Sequence, residues 1–337
     1  MMSRPVRYVV VGSVALFVIA GSSYASMHAR AANAAIPRGH VHAQLRVPPG
    51  YRIAPGPAIA GPQLVRTQPP GPGFMLPGAT SHRVLFVVDA NNTKVLLYNP
   101  AKKNPSPEGM ITAGLNCPAG AAVDKAGTLY IVNSCNNTVT EYLKGQTTVH
   151  FTINTGMNSP YGIGVDSHKR VFVSNLGNNT VTGYKPKSTS PYETISGVGP
   201  NPVGVAVDSK DNVYVADDSD NTIYLIPAGS NTAQNSGITQ LNGPIGVSFD
   251  TGDTLYVANF ALNQVAIYPS GSKTPTSTLT NGINEPTLNG FAKPGIFFQS
   301  DQTGPVVGFK PGQTTPFSTI SGIGRPLGIV SYPRLKP

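Results

Sequence analysis

From residue 84 onward, apolar residues fall in short runs rich in Val, Ile, Tyr and Phe, separated by Gly, Asn, Asp and Pro. Runs of this length and composition, bounded by turn residues, predict β-strands rather than helices. Four kinds of run recur in fixed order. The first reads CPAGAAVD, SPYGIGVD, NPVGVAVD, GPIGVSFD and finally RPLGIVS; the second reads TLYIVN, RVFVSN, NVYVAD and TLYVAN. The third reads NTVTEY, NTVTGY, NTIYLI and NQVAIY, with Val139, Val181, Ile223, Val265 and Val307 in register. A weaker fourth set follows as GMITAGLN, VHFTINTGMN, YETISGVG, SGITQLNG, STLTNGIN and FSTISGIG.

The period is set by prolines at 118, 160, 202, 244 and 286, each 42 residues after the last, with Pro326 following after 40. Four strands per repeat of this length predict propeller blades. Residues 84 to 115 supply strands two to four of a copy whose first strand is missing, and residues 326 to 331 supply that strand. The expected fold is therefore an all-β, six-bladed β-propeller of four-stranded blades. Its C-terminal strand pairs with the N-terminal blade and removes the open edges of a linear array. Gly120, Gly162, Gly204, Gly246 and Gly328 stand two residues after their prolines, where crowding around an axis favours a missing side chain. Leu288 breaks that rule, so the sixth copy, EPTLNGFAKPGIFFQSD, is either decayed or adapted to a ligand.

The pattern P-x-G-[VI]-[AG]-V-D, then [LV]-[YF]-V-[AS]-[ND], then N-N-T-V resembles NHL repeats over residues 84 to 331. Propellers of this kind are also similar in fold to the sugar-lactonase (SMP-30-like) and streptogramin-lyase propellers. The resemblance implies a fold and leaves activity open, because one scaffold hosts binding modules and enzymes alike.

The chain of 337 residues has only 12% charged side chains, with 37 Gly and 32 Pro, as befits a turn-rich β-protein. Its net charge of +9 is concentrated at the N-terminus, since eight arginines precede Asp89, the first acidic residue. The propeller itself is nearly neutral, which argues against nucleic acid as its partner. Arg4 and Arg7 followed by the apolar run YVVVGSVALFVIA and small residues read as an export leader, residues 1–34, with Ala25 and Ala34 as candidate cleavage points. The leader is either cleaved or kept as an anchor; either way the propeller is expected in the periplasm, at the cell surface or secreted. Residues 35–79 hold ten prolines and read as an extended linker, a spacer or a basic arm for an envelope surface. Residues 80–337 form the propeller domain, expected to be monomeric.

Candidate chemistry is sparse. Cys117 and Cys135 are the only cysteines, and a hairpin centred on Ala126 places them opposite one another, predicting a disulfide in an oxidising compartment. Second strands end in Asp89, Asn133, Asn175, Asp217, Asn259 and Asp301. This ring offers oxygen ligands for a divalent cation such as Ca²⁺, with Asp89, Asp217 and Asp301 as the charged members. The alternative is that these short side chains cap their own turns, as Asp124, Asp166, Asp208 and Asp250 are expected to do at the opposite face. Where second-to-third and fourth-to-first loops meet, Tyr161, Phe260, Glu285 and Arg325 vary among copies and are the ligand-face candidates.

Six histidines are dispersed: His28, His40 and His42 in the leader and linker, His82 at the domain edge, His150 in an outer strand and His168 in a turn. They do not converge, which counts against lyases that use central histidines. No P-loop, Gly-x-Ser-x-Gly or His-Glu-x-x-His motif occurs, Trp is absent, and the sequons at Asn91, Asn136 and Asn178 belong to the repeat's own turn. Two readings follow. One is a non-catalytic exported binding or scaffold propeller that presents a loop face to a protein or small ligand. The other is a metal-dependent hydrolase resembling sugar lactonases, with Glu285 joining the three ring aspartates as ligands.

Overall fold

The computed structural model describes residues 83–292 and 295–332, together with three short strands, Tyr51–Ala54, Gln63–Arg66 and Phe74–Met75. The segment expected to be an export leader, most of the expected linker and His82 lie outside the described residues. Within the segment expected to be extended, Tyr51–Ala54 and Gln63–Arg66 pair antiparallel as a unit of their own.

Five blades follow the sequence period, each a four-stranded antiparallel sheet. Blade two comprises Pro118–Val123, Leu129–Asn133, Thr138–Tyr142 and Phe151–Ile153, and the inner strands of blades three to six begin at Pro160, Pro202, Pro244 and Pro286. Blade one is composite. Pro326–Tyr332 pairs antiparallel with Val84–Asp89, from Pro326 against Asp89 to Tyr332 against Val84, and Lys94–Tyr98 and Gly109–Ile111 complete the blade. Phe74–Met75 adds a fifth strand outside Gly109–Ile111. The six inner strands form a closed ring, each packed on the next.

In every blade the inner strand is bulged after its proline: Ala121, Ala122 and Val123 pair with Ile131, Tyr130 and Leu129 as a hairpin centred on Ala126 requires, but Pro118 slips to face Asn133. The same irregularity recurs after Pro160, Pro202, Pro244, Pro286 and Pro326. Bulging is favoured where proline supplies no ladder donor and a glycine follows closely. The glycines act as expected by size. A Cβ on Gly120, Gly162, Gly204 or Gly246 would collide with the backbone carbonyl of Tyr161, Val203, Ile245 or Thr287 in the next blade. In blade six the role moves two residues on, where Gly290 packs against the Ile329 carbonyl. Replacing Gly162 by Ala is therefore expected to destabilise the propeller by about 1–3 kcal/mol, the range for overpacking a closed core; a thermal melt unchanged from the parent would refute it.

Between blades the core is a set of apolar layers. One joins Val132 and Val139 of blade two to Ile163, Val165 and Val173 of blade three. Tyrosines ending the third strands are buried with their hydroxyls satisfied: Tyr142 donates to Ala113 O at 2.5 Å, Tyr184 to Thr155 O at 2.8 Å and Tyr268 to Thr239 O at 2.8 Å. Each clasps the chain arriving from the preceding blade, joining burial to a satisfied polar end. Blade six is apolar in its own way. Phe291 and Phe297 pack with Tyr256 of blade five at ring separations of 4.8–5.2 Å, so its divergence at Leu288 leaves a filled interface. Blade four departs from expectation. Its outer strand is Gln234–Asn235, just ahead of the SGITQLNG run, because Gly237 turns at positive φ and Thr239 bonds to Lys273 O instead.

Candidate functional site

The prolines begin the inner strands at one end of the propeller axis, and two sets of loop residues surround that end. One precedes the prolines: Cys117, Ser159, Asn201, Gly243, Glu285 and Arg325. The other follows the Asp/Asn ring: Ala90, Ser134, Leu176, Asp218, Phe260 and Gln302. In five blades the two are tied together, as Ser134 N donates to Cys117 O, Leu176 N to Ser159 O, Phe260 N to Gly243 O, Gln302 N to Glu285 O and Ala90 N to Arg325 O, at 2.9–3.1 Å. Beneath them lies a buried layer of the residues that follow each proline, Ala119, Tyr161, Val203, Ile245, Thr287 and Leu327.

All four ligand-face candidates stand at this end. Phe260 is half-buried and opens a short 3₁₀ turn, Phe260–Leu262, while Glu285 is half-buried with its N–H donating to Asn263 Oδ1 at 2.7 Å. Tyr161 and Arg325 lie deeper, 2% and 4% exposed. Tyr161 is therefore part of the floor rather than of the exposed surface. Burial raises its phenol's pKa, the Arg325 guanidinium pulls it back, and Asp218 raises it further. Charged side chains of blades one and four thus both act on this phenol of blade three. Asp218 was not legible in advance, because it sits in the run DDSD, which reads as turn chemistry. Its carboxylate accepts from Asn201 Nδ2 and from Ser219 Oγ, and burial raises its pKa. The signal available in sequence was that other copies carry Ala, Ser, Leu, Phe or Gln at this position.

The Asp/Asn ring is buried and engaged with the backbone of its own blades. Asn133, Asn175, Asn259 and Asp301 accept the N–H of Asn116, Asn158, Asn242 and Asn284 at 2.9–3.1 Å. Asp217 accepts from Asn201 N at 2.5 Å and from the N–H groups of Ser219 and Asp220. Asp89 accepts from Gly324 N at 3.1 Å and Arg325 N at 3.3 Å, so it also fastens the closing blade. The same blade-by-blade turn chemistry holds at the opposite face, where Asp124, Asp166, Asp208 and Asp250 each accept two backbone N–H bonds.

Two ring acids are unusual. Burial pushes Asp217 up to about 7, helped by Asp220, and burial pushes Asp301 up to about 7, helped by Glu285. Asp301 Oδ1 has no hydrogen-bond partner among the described residues. A carboxyl that ionises less readily when folded weakens the fold as pH rises: its penalty is absent below about pH 4, grows through pH 4–7 and is complete above that range. Asparagine fills the same position in three blades, so Asp301→Asn is expected to raise stability at pH 8 by on the order of 2 kcal/mol and to leave it unchanged at pH 4. Denaturant melts at the two pH values test this; equal effects at both would refute it.

Two further features lie elsewhere. Asp166, His168 and Asp211, from neighbouring blades at the opposite face, bring ligand atoms within 4.8 Å of one another, but Arg170 Nε donates to Asp166 and both Ser167 and His168 engage Asp211. At that end of the axis a cavity of about 120 Å³ is lined by Ile163, Val205, Val247, Asn289 and Ile329. The predicted disulfide joins Cys117 and Cys135, with Cα atoms 5.4 Å apart, and so anchors one of the mouth residues.

A ring of six antiparallel blades with loop residues gathered at one mouth defines a β-propeller. A profile of the NHL repeat matches residues 115–142, in blade two, and the chain around that repeat folds as a six-bladed β-propeller. No curated protein matches it significantly in sequence. Among solved structures it is similar to a chain of a nidogen/laminin complex, with TM-score 0.66 and 15% identity over 74% of this chain and 98% of that one. It is also similar to a catalytically inactive variant of virginiamycin B lyase from Staphylococcus aureus with quinupristin, with TM-score 0.53 and 10% identity over 76% and 90% of the two chains. These likenesses concern the fold.

Proposed function

We propose that the chain is an exported, non-catalytic binding propeller that receives a protein or small ligand at the mouth formed by its proline-side loops. The observation that carries this reading is a division of labour among the polar groups. Ring carboxylates and amides accept backbone N–H bonds within their own blades, whereas the Arg325 Nε and the Tyr161 hydroxyl, buried at the same end, have no such duties among the described residues. Loops on a rigid scaffold are the usual place for binding residues. Export is supported by the disulfide, which persists in oxidising compartments, and by the leader-like N-terminus. The fold neighbours include both a propeller from a binding complex and a lyase, so fold does not choose between the readings.

The test is hydrogen exchange of the full chain with fractions of an envelope extract or a small-ligand library. Protection in the loops around 116–118, 158–160, 200–202, 218–221, 260–263, 284–286 and 324–326 is expected. Protection confined to the turns around 124–128, 166–170, 208–212 and 250–254 would overturn the reading. The hydrolase reading draws on Asp301, whose Oδ1 is unpartnered. A rise in melting temperature with Ca²⁺, Mg²⁺, Mn²⁺ or Zn²⁺ over chelator, lost in Asp301→Asn, would favour it, because an ion that binds only the native state stabilises it.

A further inference from the structure

We propose that the mouth binds a carboxylate group, held by the Arg325 guanidinium and the Tyr161 hydroxyl. The proposal rests on the reading that this face takes the ligand, and it names the ligand's chemistry.

Arg325 is held from both sides along its backbone: its N–H donates to Asp89 and its carbonyl accepts from Ala90 N. The side chain that results is 4% exposed, and its Nε has no hydrogen-bond partner among the described residues. No acidic group among them lies within ion-pair distance of its guanidinium. A buried cation without a partner is costly, and structures normally pair it. Tyr161 stands on the inner strand of blade three and Arg325 just before that of blade one, so both belong to the innermost layer of the ring. The phenol makes no hydrogen bond among the described residues. The guanidinium and the phenol lie within electrostatic range of one another, and neither donor spends itself on a hydrogen bond among the described residues beyond the backbone bonds of Arg325.

The chemistry selects the anion. A planar guanidinium matches a carboxylate in a two-point arrangement, and a phenol hydroxyl adds a third donor. Asp218 acts on the same phenol, and Glu285 stands in the same mouth. Their negative charge disfavours a dianion such as phosphate and leaves a single carboxylate as the better fit. That carboxylate belongs either to a free organic acid or to an acidic side chain of a protein.

Thermal melting of the full chain at pH 7.5 and matched ionic strength tests this, with sodium acetate, a terminally blocked glutamate peptide, sodium phosphate and sodium chloride. Acetate or the peptide is expected to raise the melting temperature in a concentration-dependent way, with phosphate close to chloride. A much stronger response to the peptide assigns the carboxylate to a protein; equal responses assign it to a free acid. Arg325→Met is expected to abolish the response while melting no lower than the parent in chloride, since it removes an unpaired buried charge. Tyr161→Phe is expected to weaken apparent affinity about tenfold, the scale of one lost hydrogen bond.

Identical melting in all four solutions, or a response retained in Arg325→Met, would overturn the proposal. So would Arg325→Met melting far below the parent in chloride, which would make the guanidinium structural. Should that variant fail to fold, the Nε–H resonance of Arg325 in ¹⁵N-labelled parent protein decides, because it must shift on acetate titration. Protection of the mouth by a ligand without carboxylate dependence would sink this proposal alone. Protection of the opposite face would sink the binding reading with it.

Discussion

A chain ending before Pro326 is expected to lose cooperative unfolding and to associate, because it lacks the innermost strand of blade one. Pro326–Tyr332 supplies the antiparallel partner of Val84–Asp89 and contributes Leu327 and Ile329, 1% and 4% exposed, with Ile329 packed in the layer that holds Leu85 and Val87. Burial of each such side chain contributes about 1.5–3 kcal/mol, and each ladder hydrogen bond contributes about 1 kcal/mol more. Together these approach the whole stability of a typical domain, about 5–15 kcal/mol. Truncation also exposes Val84–Asp89 as an apolar edge, a template for pairing with another chain. Size-exclusion chromatography and a thermal melt decide the matter. A monomer that still melts in one sharp transition near the parental temperature would show that the ring does not depend on its closing strand.

Removing the disulfide is the second large effect. Cys117 and Cys135 are 18 residues apart, and closing a loop of that length restricts the unfolded chain by about 3 kcal/mol. Changing both to Ala, so that no lone thiol remains, is expected to lower the melting temperature by roughly 6–12 °C at the 2–4 °C per kcal/mol usual for domains of this size. The effect also has a local side. Cys117 has positive φ (49°) and its carbonyl accepts from Ser134 N, so the bridge holds a left-handed residue at the mouth. Reduction of the parent protein should reproduce the shift, and a double-Ala variant melting within a degree of the parent would show that the blade holds that geometry unaided.

The blades were readable because every local signal agrees with the global fold: β-branched runs, turn residues and a fixed proline period point to the same strands. The closing strand was readable for the same reason, since RPLGIVS is a first strand with no blade of its own. The bulge after each proline was not, as it depends on how tightly inner strands pack rather than on any residue's preference. The shift of glycine from position 288 to 290 was hidden likewise, because Gly290 is recognised only through the Ile329 carbonyl it meets. At the mouth, variation between copies singled out Tyr161 and Arg325 but not their depth. Asp218 escaped because an acidic turn is ordinary within a blade. It becomes distinctive only through its influence on Tyr161 of blade three, and that proximity is a property of the ring.

Blade one also sets an order of events. Asp89 and Gly324 hydrogen-bond across 235 residues of chain, whereas the strands of each other blade are joined by short local connections. Contacts so distant in sequence form slowly, since the intervening chain must be ordered before they give any return. During synthesis five blades can assemble from local hairpins while Val84–Asp89 waits for a neighbour that the ribosome has not yet made. Throughout that interval the nascent protein is an open arc with two unpaired ends. The cell's risk of misassembly is concentrated there, and it ends with the arrival of seven residues.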